Sequence, residues 1–195
     1  MLALRDLLNP QRLTAVVETG VADDAASPYQ RMLDEGLCSA QTARPAAVMA
    51  ITPIDLLKIA GWEFDLDVLR AGPDKVAVHA SVSFFPKSTL AAVDSALRAE
   101  GFLAHCFADC TLTPIVSETS IPHPDPHQLM HADLFYVRDF LAPGIAAEQW
   151  KHLALLAHHV CGSFDLTMHA VTVLAKGGAI APDAPAQYRR ILEAA

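Results

Sequence analysis

The chain has 195 residues, of which 52% are hydrophobic and 18% charged; a chain this long buries roughly 70% of its unfolded surface, so one core suffices without metal or disulfide. A formal net charge of −8, with 14 basic residues scattered along the chain, excludes nucleic acid and anionic membrane as main partners. No apolar run reaches the length of about 18 residues that spans a bilayer, and the opening residues lack signal-peptide order, which predicts a cytoplasmic protein whose Cys38, Cys106, Cys110 and Cys161 stay reduced.

In chain order, residues 13–19 (LTAVVET) are rich in β-branched side chains and predict a buried strand. Residues 28–35 place Tyr29, Met32 and Leu33 on one helical face and stop at Gly36. A short run, 39–43, ends before Arg44-Pro45. Residues 54–59 (IDLLKI) form the clearest strand of the first half, followed by a helical turn or two over 63–70. Residues 76–84 (VAVHASVSF) predict a strand, and Ser88 an N-cap for a helix over 89–100 with Gly101 just past its end. Strands follow at 102–107 and 129–137, separated by a Pro- and His-rich loop over 114–127. Helical periodicity over 148–160 and 163–176, broken at Cys161-Gly162, predicts a helical hairpin. The alternation reads as a single α/β domain, with a sheet and its helices in 1–145 and a helical extension in 146–195.

Several stretches resemble the FkbM family of methyltransferases, a branch of the Rossmann-like methyltransferases. They are AVVETGVADDAASPYQRMLDEGLC (15–38), IDLLKIAGWEFDLDVLRAGPDKVAVHASVSFFP (54–86), MHADLFYVRDF (130–140) and EQWKHLALLAHHVCGSFDL (148–166). The resemblance implies a mostly parallel Rossmann-like sheet with an antiparallel pair near the C-terminus, and S-adenosylmethionine as the family's cofactor. It also implies that Glu18 and Gly20 stand at the turn where the family approaches that cofactor.

The departures from the family pattern are chemical. Val21, Ala22 and Asp23-Asp24 follow Gly20 where bare backbone is needed. Arg44, with donors and no acceptor, occupies the place of the acid that receives the ribose hydroxyls. Ala60 replaces the aspartate of a Leu-Lys-Ile-Asp motif, Glu63 a glycine, and Ser81 a glutamate. Residues 45–53 bridge a gap in which the family carries a third strand and its helices, leaving 39–43 as a sheet edge open to a partner. These losses predict a methyltransferase-like protein without cofactor turnover, acting as a binding or assembly subunit that pairs with itself or with another protein.

An active O-methyltransferase on a sugar or small-metabolite hydroxyl is the alternative, with S-adenosylmethionine as cofactor and Lys58, Asp65 and His79 as the candidate catalytic residues. Lys58 ends a central strand, where open α/β sheets place their sites; Asp65 reads equally as part of a solvated helix face with Asp67. A third reading is a metal-binding module built on His123, His127 and His131, set against a solvated polar loop. His105, Cys106 and Cys110 form another mixed cluster, which strand alternation divides between two faces. His152, His158, His159 and His169 border the apolar stripe of the hairpin. No Gly-x-Ser-x-Gly, P-loop or Cys-x-x-Cys pattern supports hydrolase, nucleotide or redox chemistry.

Overall fold

The computed structural model describes residues 3–19, 27–59, 66–72, 74–84, 88–114 and 126–194. Six strands form one sheet: β1 (Thr14–Thr19), β2 (Cys38–Ala43), β3 (Leu56–Ile59), β4 (Ala77–Ser83), β5 (Phe102–Thr113) and β6 (Gln128–Arg138). Their order is β2-β1-β3-β4-β6-β5. The pairs β1/β2, β1/β3 and β3/β4 are parallel, and β6 runs antiparallel to both β4 and β5. This is the mixed α/β sheet anticipated from the sequence, mostly parallel with antiparallel pairing toward its C-terminal side.

The central strands read as near-continuous apolar runs because both faces are covered. Leu56, Leu57 and Ile59 of β3 are all buried, as are Val76, Ala77 and Val78 around the start of β4. Side-chain alternation sends Val16, Leu56, Ala77 and Phe135 to one face. There they meet α1 (Leu4–Leu8), α2 (Gln30–Asp34), α6 (Ala147–His159), α7 (Phe164–Lys176) and α8 (Ala184–Glu193). Val17, Leu57, Val78 and Tyr136 point the other way, onto α3 (Pro45–Val48), α4 (Leu66–Arg70) and α5 (Leu90–Ala99). Burying a Leu or Val side chain contributes about 1.5–3 kcal/mol, so the two clusters carry the stability of the sheet.

Several elements differ from the sequence expectation. The helical extension contains three helices: α8 adds to the hairpin, fixed by fully buried Tyr188 and Ala184. Strand β5 runs on to Thr113, six residues beyond the expected end at Phe107, because pairing with β6 supplies hydrogen bonds that local pattern does not reveal. The α5 N-cap is Thr89 rather than Ser88, and the Thr89 hydroxyl accepts the Ser83 backbone N–H at 3.0 Å instead of capping its own helix. Gly101 takes φ +78° just past α5, the left-handed conformation expected there. Among the described residues no helix is long and apolar enough to cross a membrane.

Candidate functional site

Parallel pairing aligns Glu18 with Lys58, and Lys58 with His79, in one row across β1, β3 and β4. The row lies at the carboxyl ends of β1 and β3, where open α/β sheets hold ligands, and crosses β4 at its third residue. Register also fixes the face: the three side chains share the side of Val16, Leu56 and Ala77, beneath the C-terminal helices. All three are buried, with 5%, 8% and 1% exposure. A lysine, a glutamate and a histidine in that setting each need a partner.

The partners come from within the chain. Lys58 Nζ donates to Glu18 Oε1 at 2.5 Å, and the Tyr29 hydroxyl donates to Glu18 Oε2 at 2.7 Å. Tyr29 is placed by the N-terminal end of α2, whose Met32 is fully buried. Burial alone would raise the Glu18 carboxyl, but the Lys58 and Tyr29 hydrogen bonds outweigh it and hold the carboxylate below its ordinary range. Tyr29 is pushed up to about 12 by burial and by the same carboxylate.

His79 is treated differently. Burial lowers it to about 4, with nearby Lys58 adding to the effect and Asp133 opposing it. Its ring is therefore neutral at pH 7. Nε2 lies 3.7 Å from Asp133 Oδ2, and Ser81 donates to Asp133 Oδ1 at 2.6 Å. The ring also tilts against Phe135 at a centroid distance of 5.3 Å. Nδ1 is fully buried and has no hydrogen-bond partner among the described residues. Chemically the row offers a closed ion pair, a neutral imidazole and a half-exposed carboxylate.

Three sequence candidates thus converge: Glu18, Lys58 and His79. Gly20, Asp65 and His123 lie outside the described residues, as do Ala60 and Glu63. His127 is exposed one residue before β6 and His131 is inside that strand. An extended chain rises ~3.4 Å per residue, which separates these two by ~13 Å and denies them a common ion. Among the described residues no three His, Cys, Asp or Glu side chains gather as a metal-binding group. Tyr29, Asp133 and Ser81 complete the site; the sequence marks Tyr29 as a helix-face residue within the family resemblance, Asp133 as a carboxylate near the 123–131 histidines and Ser81 as a departure from the family pattern, and none of them as a member of this row.

The alternation expected for His105 and Cys106 fails for a specific reason. Ala104 pairs with Tyr136 and Cys106 with Phe135, so β5 carries a bulge at His105. The His105 side chain turns toward the corner between α6 and α7, its Nε2 2.8 Å from Ser163 Oγ, and Cys106 packs, as Cys161 does, against the core on that side of the sheet. Cys110, further along β5, is exposed.

No protein-family model matches the sequence, and no curated protein matches it. Among solved structures, the chain is similar to precorrin-8W decarboxylase of Methanobacterium thermoautotrophicum at 13% identity and a TM-score of 0.35, over 69% of this chain and 86% of that one.

Proposed function

We propose that the protein is a methyltransferase-like scaffold that does not turn over S-adenosylmethionine and works as a binding or assembly subunit. The observation that carries this reading is the engagement of Glu18. The carboxylate that resembles the family's cofactor-turn acid has both oxygens taken, one by Lys58 and one by Tyr29. A cofactor group competing for it must break a buried ion pair, which costs about 3–5 kcal/mol.

Two further features support the same reading. Arg44 follows β2 directly and is exposed, offering donors where ribose hydroxyls need an acceptor. Strand β2 is the sheet edge, and Ser39, Ala40, Gln41 and Thr42 are exposed along it. A Rossmann-like methyltransferase sheet deprived of its third strand ends in that way, and an exposed edge accepts an added strand from a partner or a second copy. The rival reading of an active O-methyltransferase needs a base within ~3 Å of a substrate hydroxyl, whereas His79 is 1% exposed with Nε2 facing Asp133.

Calorimetry with S-adenosylmethionine tests the proposal. No saturable heat is expected up to millimolar ligand; a micromolar Kd overturns it. Light scattering on the wild-type chain and on Gln41→Lys then addresses assembly. The charge placed on β2 is expected to reduce association, and unchanged association removes the edge from the proposal.

A further inference from the structure

We propose that a cavity at the amino end of the sheet, lined by Arg138, Asp74 and Asp139, binds a free α-amino acid with an aliphatic side chain. The cavity has a volume of about 410 Å³ and lies between the α5–β5 turn, the β6–α6 connection and the turn before β4. Clefts of roughly 300–1,000 Å³ hold small ligands. This one is at the opposite end of the strands from the Glu18 row and away from the β2 edge, so it is a separate site.

Its walls are tied to one another. The Arg138 N–H donates to the Val76 carbonyl at 2.8 Å, and the Asp139 N–H to the Gly101 carbonyl at 2.9 Å. Gln149 accepts the Ala146 N–H at 2.8 Å and donates to the Asp74 carbonyl at 3.0 Å. One glutamine thereby joins the first turn of α6 to the turn ahead of β4. These bonds set the shape before a ligand arrives, which lowers the ordering cost of binding.

One part of the lining is positive. The Arg138 guanidinium stands over the Phe102 ring, 4.4 Å from its centroid, and donates to the Glu100 and Lys75 carbonyls, both at 3.0 Å. Carbonyls position the group without cancelling its charge. Lys75 Nζ lies 5.4 Å from the same centroid and the residue is 2% exposed, so two cations share one ring. Burial and Arg138 lower Lys75 to about 8, and burial lowers Arg138 too, against Asp74 and Glu100. A carboxylate beside Arg138 would relieve both. The start of α6, at Ile145 and Gln149 on the cavity wall, adds the positive end of its peptide dipole.

The opposite sign is present on the same cavity. Asp74 is exposed and Asp139 half-buried. Asp139 gives Oδ1 to the Leu141 N–H at 2.9 Å and keeps its charge. A simple carboxylic acid is repelled by these two carboxylates, and a simple amine by Arg138. A free α-amino acid carries both charges on one carbon and answers both. Ala142, Pro143 and Ile145 add apolar surface, which suits an aliphatic side chain.

Titration calorimetry of the full chain with leucine tests the site. Saturable binding is expected, and its absence overturns the proposal. Leucinamide lacks the carboxylate charge and isocaproate lacks the ammonium; each is expected to bind about tenfold or more weakly than leucine. Equal binding of either one overturns the pairing of charges and the proposal with it. Ala142→Trp fills the cavity from an exposed position and is expected to abolish leucine binding without lowering the melting temperature of the unliganded chain. Retained binding in that folded variant places leucine elsewhere and overturns the proposal. Asp139→Asn keeps an acceptor for the Leu141 N–H and removes the charge, so leucine should weaken about tenfold while isocaproate does not weaken. The comparison of leucine with its analogues uses the unaltered chain, and it decides even where a variant fails to fold.

Discussion

Two buried acid–base pairs brace the same parallel strands, one at each end of the sheet, and they are built to different standards. At the amino end Asp55 receives Arg12 through both oxygens, at 2.5 and 2.8 Å, and also accepts the Ala15 N–H at 2.7 Å. Its carbonyl in turn accepts the N–H groups of Val76 and Ala77, so a single residue ties β1, β3 and β4 together. At the carboxyl end Glu18 is equally saturated by Lys58 and Tyr29, but the row continues to His79, whose Nδ1 finds no partner among the described residues. The amino end is a closed strut. The carboxyl end is a strut drawn into a longer row, which passes to the His79 ring and on to Asp133 of β6.

Breaking the pairs one at a time gives the largest effect. Lys58→Met leaves the Glu18 carboxylate buried without its cation and is expected to cost about 3–5 kcal/mol. Arg12→Met should cost less, about 2 kcal/mol, because the Arg12 side chain is 36% exposed against 10% for Lys58 and water can reach the vacated place. Urea unfolding measures both. In the double variant Glu18→Gln/Lys58→Met most of the loss should return, since no uncompensated charge is left. Equal costs at the two ends would remove the distinction drawn between them.

A pH titration of stability adds a second measurement, because buried histidines lie against the same face of the sheet. His79 and His159 are both lowered to about 4, chiefly by burial. A group that binds its proton more weakly in the fold than in the unfolded chain stabilises the fold above its unfolded value, 6.5 here, and that stability is lost as pH falls toward 4. Each histidine accounts for on the order of 3 kcal/mol over that window. The depressed Glu18 acts in the same direction, its contribution disappearing below the ordinary glutamate value of 4.5. His79→Gln is expected to flatten the slope between pH 6.5 and 4 by about 1.4 kcal/mol per pH unit. An unchanged slope would place the acid sensitivity elsewhere.

The contrast between the two ends was only half legible in the sequence. Apolar runs such as LLKI and the β-branched stretch TAVVET announced the central strands, and the break at Cys161-Gly162 announced the hairpin, because local pattern and tertiary burial agree there. Glu18 and Lys58 stood out as charged residues near strand ends, and His79 as a titratable residue inside a strand. Their shared face did not, since it follows from a register set by residues far apart in the chain. Asp55 was read as the second residue of a strand, and nothing local marks the bidentate Arg12 that reaches it across 43 positions. The His105 bulge was invisible for the same reason: alternation is a default that a single inserted residue reverses. Helix α8 is amphipathic, but its role became evident only through Tyr188, which meets His158 of α6 at 2.9 Å.

The smallest effect tests how far the row at the carboxyl end extends. Ser81 donates to Asp133 at 2.6 Å, and the resemblance places a glutamate in the family at this position. A glutamate facing Asp133 would set two carboxylates against each other, so serine and Asp133 are mutually fitted as they stand. Ser81→Ala is expected to cost about 1 kcal/mol, because Asp133 keeps 36% exposure and water replaces the hydroxyl. The loss should vanish in an Asp133→Asn background if the bond is worth what its geometry implies, and a double-mutant cycle by urea unfolding reads that coupling. A coupling of zero would mean that the serine is incidental, and that the row ends at His79 rather than continuing through Asp133 to β6.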